Sequence, residues 1–113
     1  MSTLPAQNQM PVTEVVRPKD LVQYQSGAVV SRTLLKRPTG TVTVFAFDEG
    51  QGLTEHTASF DALVQVIEGE AELAIAGKPF KVRRDEAILL PANQPHAVTA
   101  RKPFKMLLTM IRS

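Results

Sequence analysis

From Thr41 to Asp48 the chain reads TVTVFAFD, a run of β-branched and aromatic residues bounded by RPTG before it and EGQG after it. Such residues suit a pleated, half-buried surface, and the run predicts a strand. The longer stretch ALVQVIEGEAELAIAGKPFKVRR, from Ala62 to Arg84, predicts strands interrupted near Gly69 and turned at Gly77. EAILLP (Glu86 to Pro91), HAVTA (His96 to Ala100) and FKMLLTMIR (Phe104 to Arg112) complete the series. No long segment keeps a helical apolar period, because a proline or glycine interrupts each candidate window. Many short strands at regular spacing predict an all-β sandwich or small barrel.

Alternation sorts the side chains of these strands. Ala62, Val64 and Val66 share one face, while Leu63 and Ile67 share the other. On the last strand Phe104, Met106, Leu108 and Met110 are expected inward, and Leu107 and Ile111 outward. Strands apolar on both faces need a second covering layer. A second subunit is expected to supply part of that layer, so the expected assembly is a homodimer. The polar, proline-bearing start predicts an N-terminal arm over residues 1–20, frayed unless docked on a partner subunit. The barrel is then expected over residues 21–113.

Composition narrows the class. A chain of 113 residues holds one domain. Its 43% apolar and 21% charged residues are those of an ordinary soluble globular protein. Cysteine is absent, which removes disulfides, thiolate nucleophiles and sulfur-ligated metals. The opening MSTLPAQNQMPVTE has no charged leader followed by an apolar run, and no apolar stretch approaches the ~20 residues of a spanning helix. The expectation is a cytoplasmic protein that does not engage a membrane. The formal charge of +2 is small and its basic residues are dispersed, with five Phe, one Tyr and no Trp for base stacking. No nucleic-acid partner is expected.

The chain has two histidines, His56 in EGQGLTEHTASFDA and His96 in DEAILLPANQPHAVTA. These two segments resemble the paired motifs of the cupin family, and the resemblance runs over roughly residues 41–112. Gly50, His56 and Gly69 stand where the first motif has its glycines and first histidine; Pro91 and His96 match the second motif. Asp85 and Asn93 replace glycines of the second motif, and both residue types tolerate the left-handed backbone of turns. Ala58, Ala62 and Ala100 stand where the family has a histidine, a glutamate and an asparagine.

The resemblance implies an all-β cupin, a jelly-roll-like antiparallel β-barrel. It also implies that His56 and His96 face one another across a pocket. Taken with the alternation, the expected ligand-binding set is His56, Ala58, Ala62, Val64, His96, Met106 and Leu108. In a cupin the motif histidines and glutamate hold one divalent ion, commonly Fe, Mn, Ni or Zn. This chain keeps one imidazole from each motif, so His56 and His96 are its metal candidates. Asp61, Glu55 and Gln65 are candidates for a third ligand. Alternation turns 61 and 65 outward if 62 faces inward, although Asp61 lies at the strand's start, where that rule is weakest.

An apolar pocket with two converging imidazoles is a small-molecule site by default. The two alanines are expected to leave extra room there, enough for several waters or part of a small organic molecule. Imidazoles titrate near neutral pH and can act as acid and base. No serine or cysteine is paired for nucleophilic attack, and GKP after Ala76 lacks phosphate-loop spacing. The expected function is small-molecule binding around His56 and His96, with the reaction unassigned, since the fold serves many chemistries. The alternatives are a metal-dependent enzyme of dioxygenase or isomerase type, and a non-enzymatic sensing or interaction module.

Overall fold

A computed structural model describes residues 10–112. Nine strands follow one another: β1 (Val29–Arg37), β2 (Gly40–Phe47), β3 (Gly52–His56), β4 (Asp61–Glu68), β5 (Glu70–Ile75), β6 (Lys78–Arg83), β7 (Ala87–Leu90), β8 (His96–Thr99) and β9 (Phe104–Ile111). All pairings are antiparallel. They form one sheet in the order β1-β2-β9-β4-β7 and a second in the order β3-β8-β5-β6. The all-β expectation holds, and the only helix among the described residues is a single 3-10 turn at Pro18–Leu21.

The expected strands are present at the expected places, with two more that the pattern did not predict. β1 reads VVSRTLLKR, and a register shift between Thr33 and Leu35 breaks its alternation. β3 reads GLTEH and is mostly exposed, so it carries one apolar residue and no period. Both lie at sheet edges.

Turn chemistry follows the residue types. Asp85 and Asn93 adopt φ 70° and 66°, the left-handed conformation expected where they replace glycines. Gly69 separates β4 from β5 at φ 76°. A β-carbon there would meet the Pro103 carbonyl oxygen at 2.7 Å and the Phe104 Cβ at 2.9 Å, so this glycine is required by both conformation and space.

The main core lies between the sheets. Phe47, Val64, Val66, Phe104 and Met106 from the first sheet pack on Leu73, Val82 and Val98 from the second. Phe47 and Phe104 stack with ring centroids 4.6 Å apart. A second cluster occupies the outer face of the five-stranded sheet, where Val44, Ala46, Ile67 and Leu107 are covered by Leu21, Val22 and Tyr24. Part of the covering layer that the two-faced strands required thus comes from the chain itself.

This outer segment is tied down by polar contacts. The Met10 N–H donates to the Leu34 carbonyl at 3.1 Å. Lys105, only 6% exposed, donates from Nζ to the Lys19 carbonyl at 2.7 Å and lies 4.9 Å from the centre of the Tyr24 ring. The Tyr24 hydroxyl donates to Glu68, whose carboxylate is 4.0 Å from Lys105. Burial, and then Glu68, push the Tyr24 hydroxyl pKa well above its ordinary value. Met10 and Lys19 of the expected arm are therefore held against their own sheet, while Val12 and Val15 between them are exposed; residues 1–9 fall outside the described part.

Candidate functional site

His96 begins β8, pairs with Ile75 of β5 and points into the space between the sheets, where it is 7% exposed. His56 reaches the same place by an irregularity. Leu53 of β3 pairs with Val98 and faces inward, so regular alternation would turn position 55 inward and position 56 outward. Between Leu53 and His56 the register shifts: three steps on β3 match two on β8, and His56 pairs with His96. The extra residue reverses the side-chain direction and brings the two imidazoles together.

Their Nε2 atoms are 3.1 Å apart, with ring centroids 4.4 Å apart and planes at 68°. Each Nδ1 faces a backbone carbonyl: His56 that of Thr54 at 2.8 Å, His96 that of Gln94 at 3.2 Å. A carbonyl only accepts, so both Nδ1 atoms are the N–H donors of their rings. The two Nε2 lone pairs then point at each other. A single shared proton, which makes one ring an imidazolium, satisfies both; so does a cation or ligand donor placed between them. Burial holds the His96 pKa below its ordinary value, the Gln94 carbonyl opposes this, and His56 adds to it. A full charge on His96 is therefore disfavoured.

Beneath the pair is a cavity of about 50 Å³. The structure brings all of the expected site residues to it: Ala58, Ala62, Val64, Met106 and Leu108 line it together with the histidines. Leu53, Leu90, Val98 and Met110 line it too and were not in the expected set. Met110 could have been found from alternation, since it shares the inward face of Met106 and Leu108, whereas Leu90 is placed there by its pairing with Ala62, which only the fold sets. Leu53 could not, because β3 carried no signal. The room expected from the two alanines is small. Flexible Met106 and Met110 are among the side chains packed around it, and a few waters at about 10–15 Å³ each would fill what remains.

The third-ligand candidates lie elsewhere. Asp61 pairs with Ile111, and its Oδ1 accepts the Ala92 N–H at 2.9 Å. The Asn93 N–H donates to the Ala58 carbonyl at 2.7 Å. These two bonds clamp the loop before His96 against the loop after His56, which gives Asp61 a role in holding the site. Glu55 and Gln65 are exposed. No group of three His, Cys, Asp or Glu side chains comes together among the described residues. The pair supplies two nitrogen donors, whereas catalytic zinc sites take three protein ligands, so the set among the described residues is incomplete for an ion.

The fold, two antiparallel sheets packed about one core, is shared with known proteins. The family model for the cupin domain matches residues 43–111. A conserved protein of Streptococcus pyogenes is 30% identical, with a TM-score of 0.90 over 99% of this chain and 98% of that one. A cupin 2 conserved barrel domain protein of Leptotrichia buccalis is 42% identical, with a TM-score of 0.81; the match covers 83% of this chain and 46% of that one. A cupin superfamily protein of Desulfitobacterium hafniense shares the fold at 21% identity and a TM-score of 0.87, over 97% of this chain and 100% of that one. No curated protein matches. The chain belongs to the cupin family. No helix of the described residues is long and apolar enough to cross a membrane.

Proposed function

We propose that this cupin binds a small molecule at the barrel mouth, where the paired Nε2 atoms of His56 and His96 receive a polar group of the ligand. The observation behind this reading is the 3.1 Å approach of two Nε2 atoms whose rings are both anchored through Nδ1 to backbone carbonyls. A ligand hydroxyl or acid proton placed there can donate to one ring. With one ring protonated, the pair can also pass a proton to the ligand. Any reaction remains unassigned. The test is a ligand screen read by imidazole NMR shifts, repeated on His56→Ala and His96→Ala. A hit whose affinity is unchanged in both variants would sink the reading.

A second reading is a metal-dependent cupin enzyme of dioxygenase or isomerase type, with His56 and His96 as two of the ligands. Two nitrogens bound at about 2.0–2.1 Å to one ion, at right-angle to tetrahedral geometry, stand about 2.9–3.3 Å apart, which matches the observed pair. Elemental analysis of the purified protein separates the two. Near-stoichiometric Fe, Mn, Ni or Zn that disappears in His56→Ala would displace the first reading.

The same reading takes the protein to be a cytoplasmic homodimer. Leu35, Val42, Thr109, Leu63 and Leu89 are register neighbours in one row across the outer face of the five-stranded sheet. Leu89 is 57% and nearby Ile111 62% exposed, an apolar surface suited to a second copy. A monomer by light scattering at micromolar concentration would overturn the assembly.

A further inference from the structure

A second cavity adjoins the first. Its volume is about 380 Å³, and Met110 lines both. The rest of its wall differs in chemistry: Lys36, Arg37 and Arg112 border it, Phe60 supplies an aromatic side, and no acidic residue lines it.

Register explains why the two spaces meet. Lys36 pairs with Thr41, Thr41 with Met110, and Met110 with Ala62. These four positions form one cross-strand row on the face that carries the histidine cavity. At about 4.8 Å per strand, Lys36 begins about 14 Å from Ala62 along that row. Arg37 closes the same hairpin opposite Gly40, and the Arg112 N–H donates to the Thr39 carbonyl at 2.8 Å, which sets the end of β9 beside it. The Arg112 guanidinium lies 4.9 Å from the centre of the Phe60 ring. A guanidinium stacked on an aromatic face keeps N–H groups in its own plane for an acceptor.

Charge makes the second argument. Arg83, Arg84, Arg101 and Lys105 are each within ion-pair distance of a carboxylate. None of the described ion pairs includes Lys36, Arg37 or Arg112, and the one side-chain bond of Arg37 goes to the Lys36 carbonyl. Asp61, the acid nearest in register, pairs with Ile111 and is bonded to the Ala92 N–H. Three like charges around one cavity create a field that an entering anion relieves. An inorganic anion would leave the Phe60 and Met110 walls unused; an organic one would cover them.

We propose that this vestibule binds the carboxylate of a small organic acid, whose apolar body rests on Phe60 and Met110 and whose far end points to His56 and His96. The direction of the far end rests on the proposed function of the histidine pair; the preference for a carboxylate does not.

Benzoate and benzamide, alike in shape and different in charge, test this on the full chain. The readouts are the Arg112 Nε–H and Phe60 ring signals for the vestibule and the imidazole Hε1 signals for the histidines. Benzoate is expected to shift the vestibule signals saturably, with benzamide at least about tenfold weaker and Arg112→Gln weakening benzoate about tenfold, as for loss of a charged hydrogen bond. Arg112 is exposed, and an unchanged amide spectrum of the variant certifies its fold. Equal affinity for the two probes, unchanged affinity in Arg112→Gln, or no saturable shift at millimolar benzoate overturns the proposal. Imidazole shifts without vestibule shifts also overturn it, while leaving the histidine reading intact. Vestibule shifts without imidazole shifts support the carboxylate site and count against the histidine reading.

Discussion

His56 and His96 are register partners across β3 and β8, and their Nε2 atoms meet at 3.1 Å because β3 carries one more residue than β8 between this pair and Leu53–Val98. At the natural three-residue spacing from Leu53, the contact depends on the bulge as well as on the histidines. Deleting Thr54 would leave two steps on each strand, so regular alternation would then keep His56 inward and opposite His96 without the bulge. We expect the deletion variant to remain folded and keep the imidazole–imidazole contact, and loss of the cross-peaks between the two rings would contradict this account of the register.

The hydrogen bonds to Thr54 and Gln94 assign the tautomers. Long-range proton–nitrogen NMR should find Nδ1 protonated in both rings above neutral pH. A spectrum with Nε2–H and bare Nδ1 in both would contradict the geometry.

The depressed pKa of His96 makes a stability prediction with a definite sign. Its value lies below the ordinary 6.5 in the folded protein, chiefly through burial. As pH falls below 6.5, the unfolded chain takes up the proton first, so stability is lost until the folded pKa is passed. Above 6.5 neither state is charged and this contribution is flat. Urea unfolding across that window should show a steeper acid decline for the natural chain than for His96→Gln; parallel curves would contradict this.

Gly69 and Gly77 offer a matched comparison, since both have positive φ but only Gly69 faces crowded atoms. Gly77→Ala should cost about 1 kcal/mol from conformation alone. Gly69→Ala should cost about 2–3 kcal/mol, because Pro103 and Phe104 must also move. Chemical denaturation of the two variants checks the difference.

Lys105 joins β9 to the segment that covers the outer face. Lys105→Ala removes the donor to the Lys19 carbonyl and a charge near Glu68. The expected loss is about 1–3 kcal/mol. Amide exchange should quicken first over Leu21, Val22 and Tyr24, and an effect confined to β9 would argue against the clasp.

Much of this protein was legible in its sequence. The runs after Thr41 carry β-branched residues and the alternation of strands, and Gly69 and Gly77 mark their breaks, because period and turn chemistry are local properties. The motif spacing around His56 and His96 was readable for the same reason. So were the left-handed positions of Asp85 and Asn93, since few other residue types tolerate that backbone.

What the sequence by itself determined is therefore a set of strands, their inward faces and two histidines at matching motif positions. Only the tertiary structure decided that a bulge turns His56 inward, because strand period alone places it outward. It also decided that Asp61 holds a loop rather than joining the histidines, and that the chain's own segment covers Ile67 and Leu107. The row from Lys36 to Ala62 crosses four strands distant in sequence, and register between such strands is set by packing, which no local pattern records.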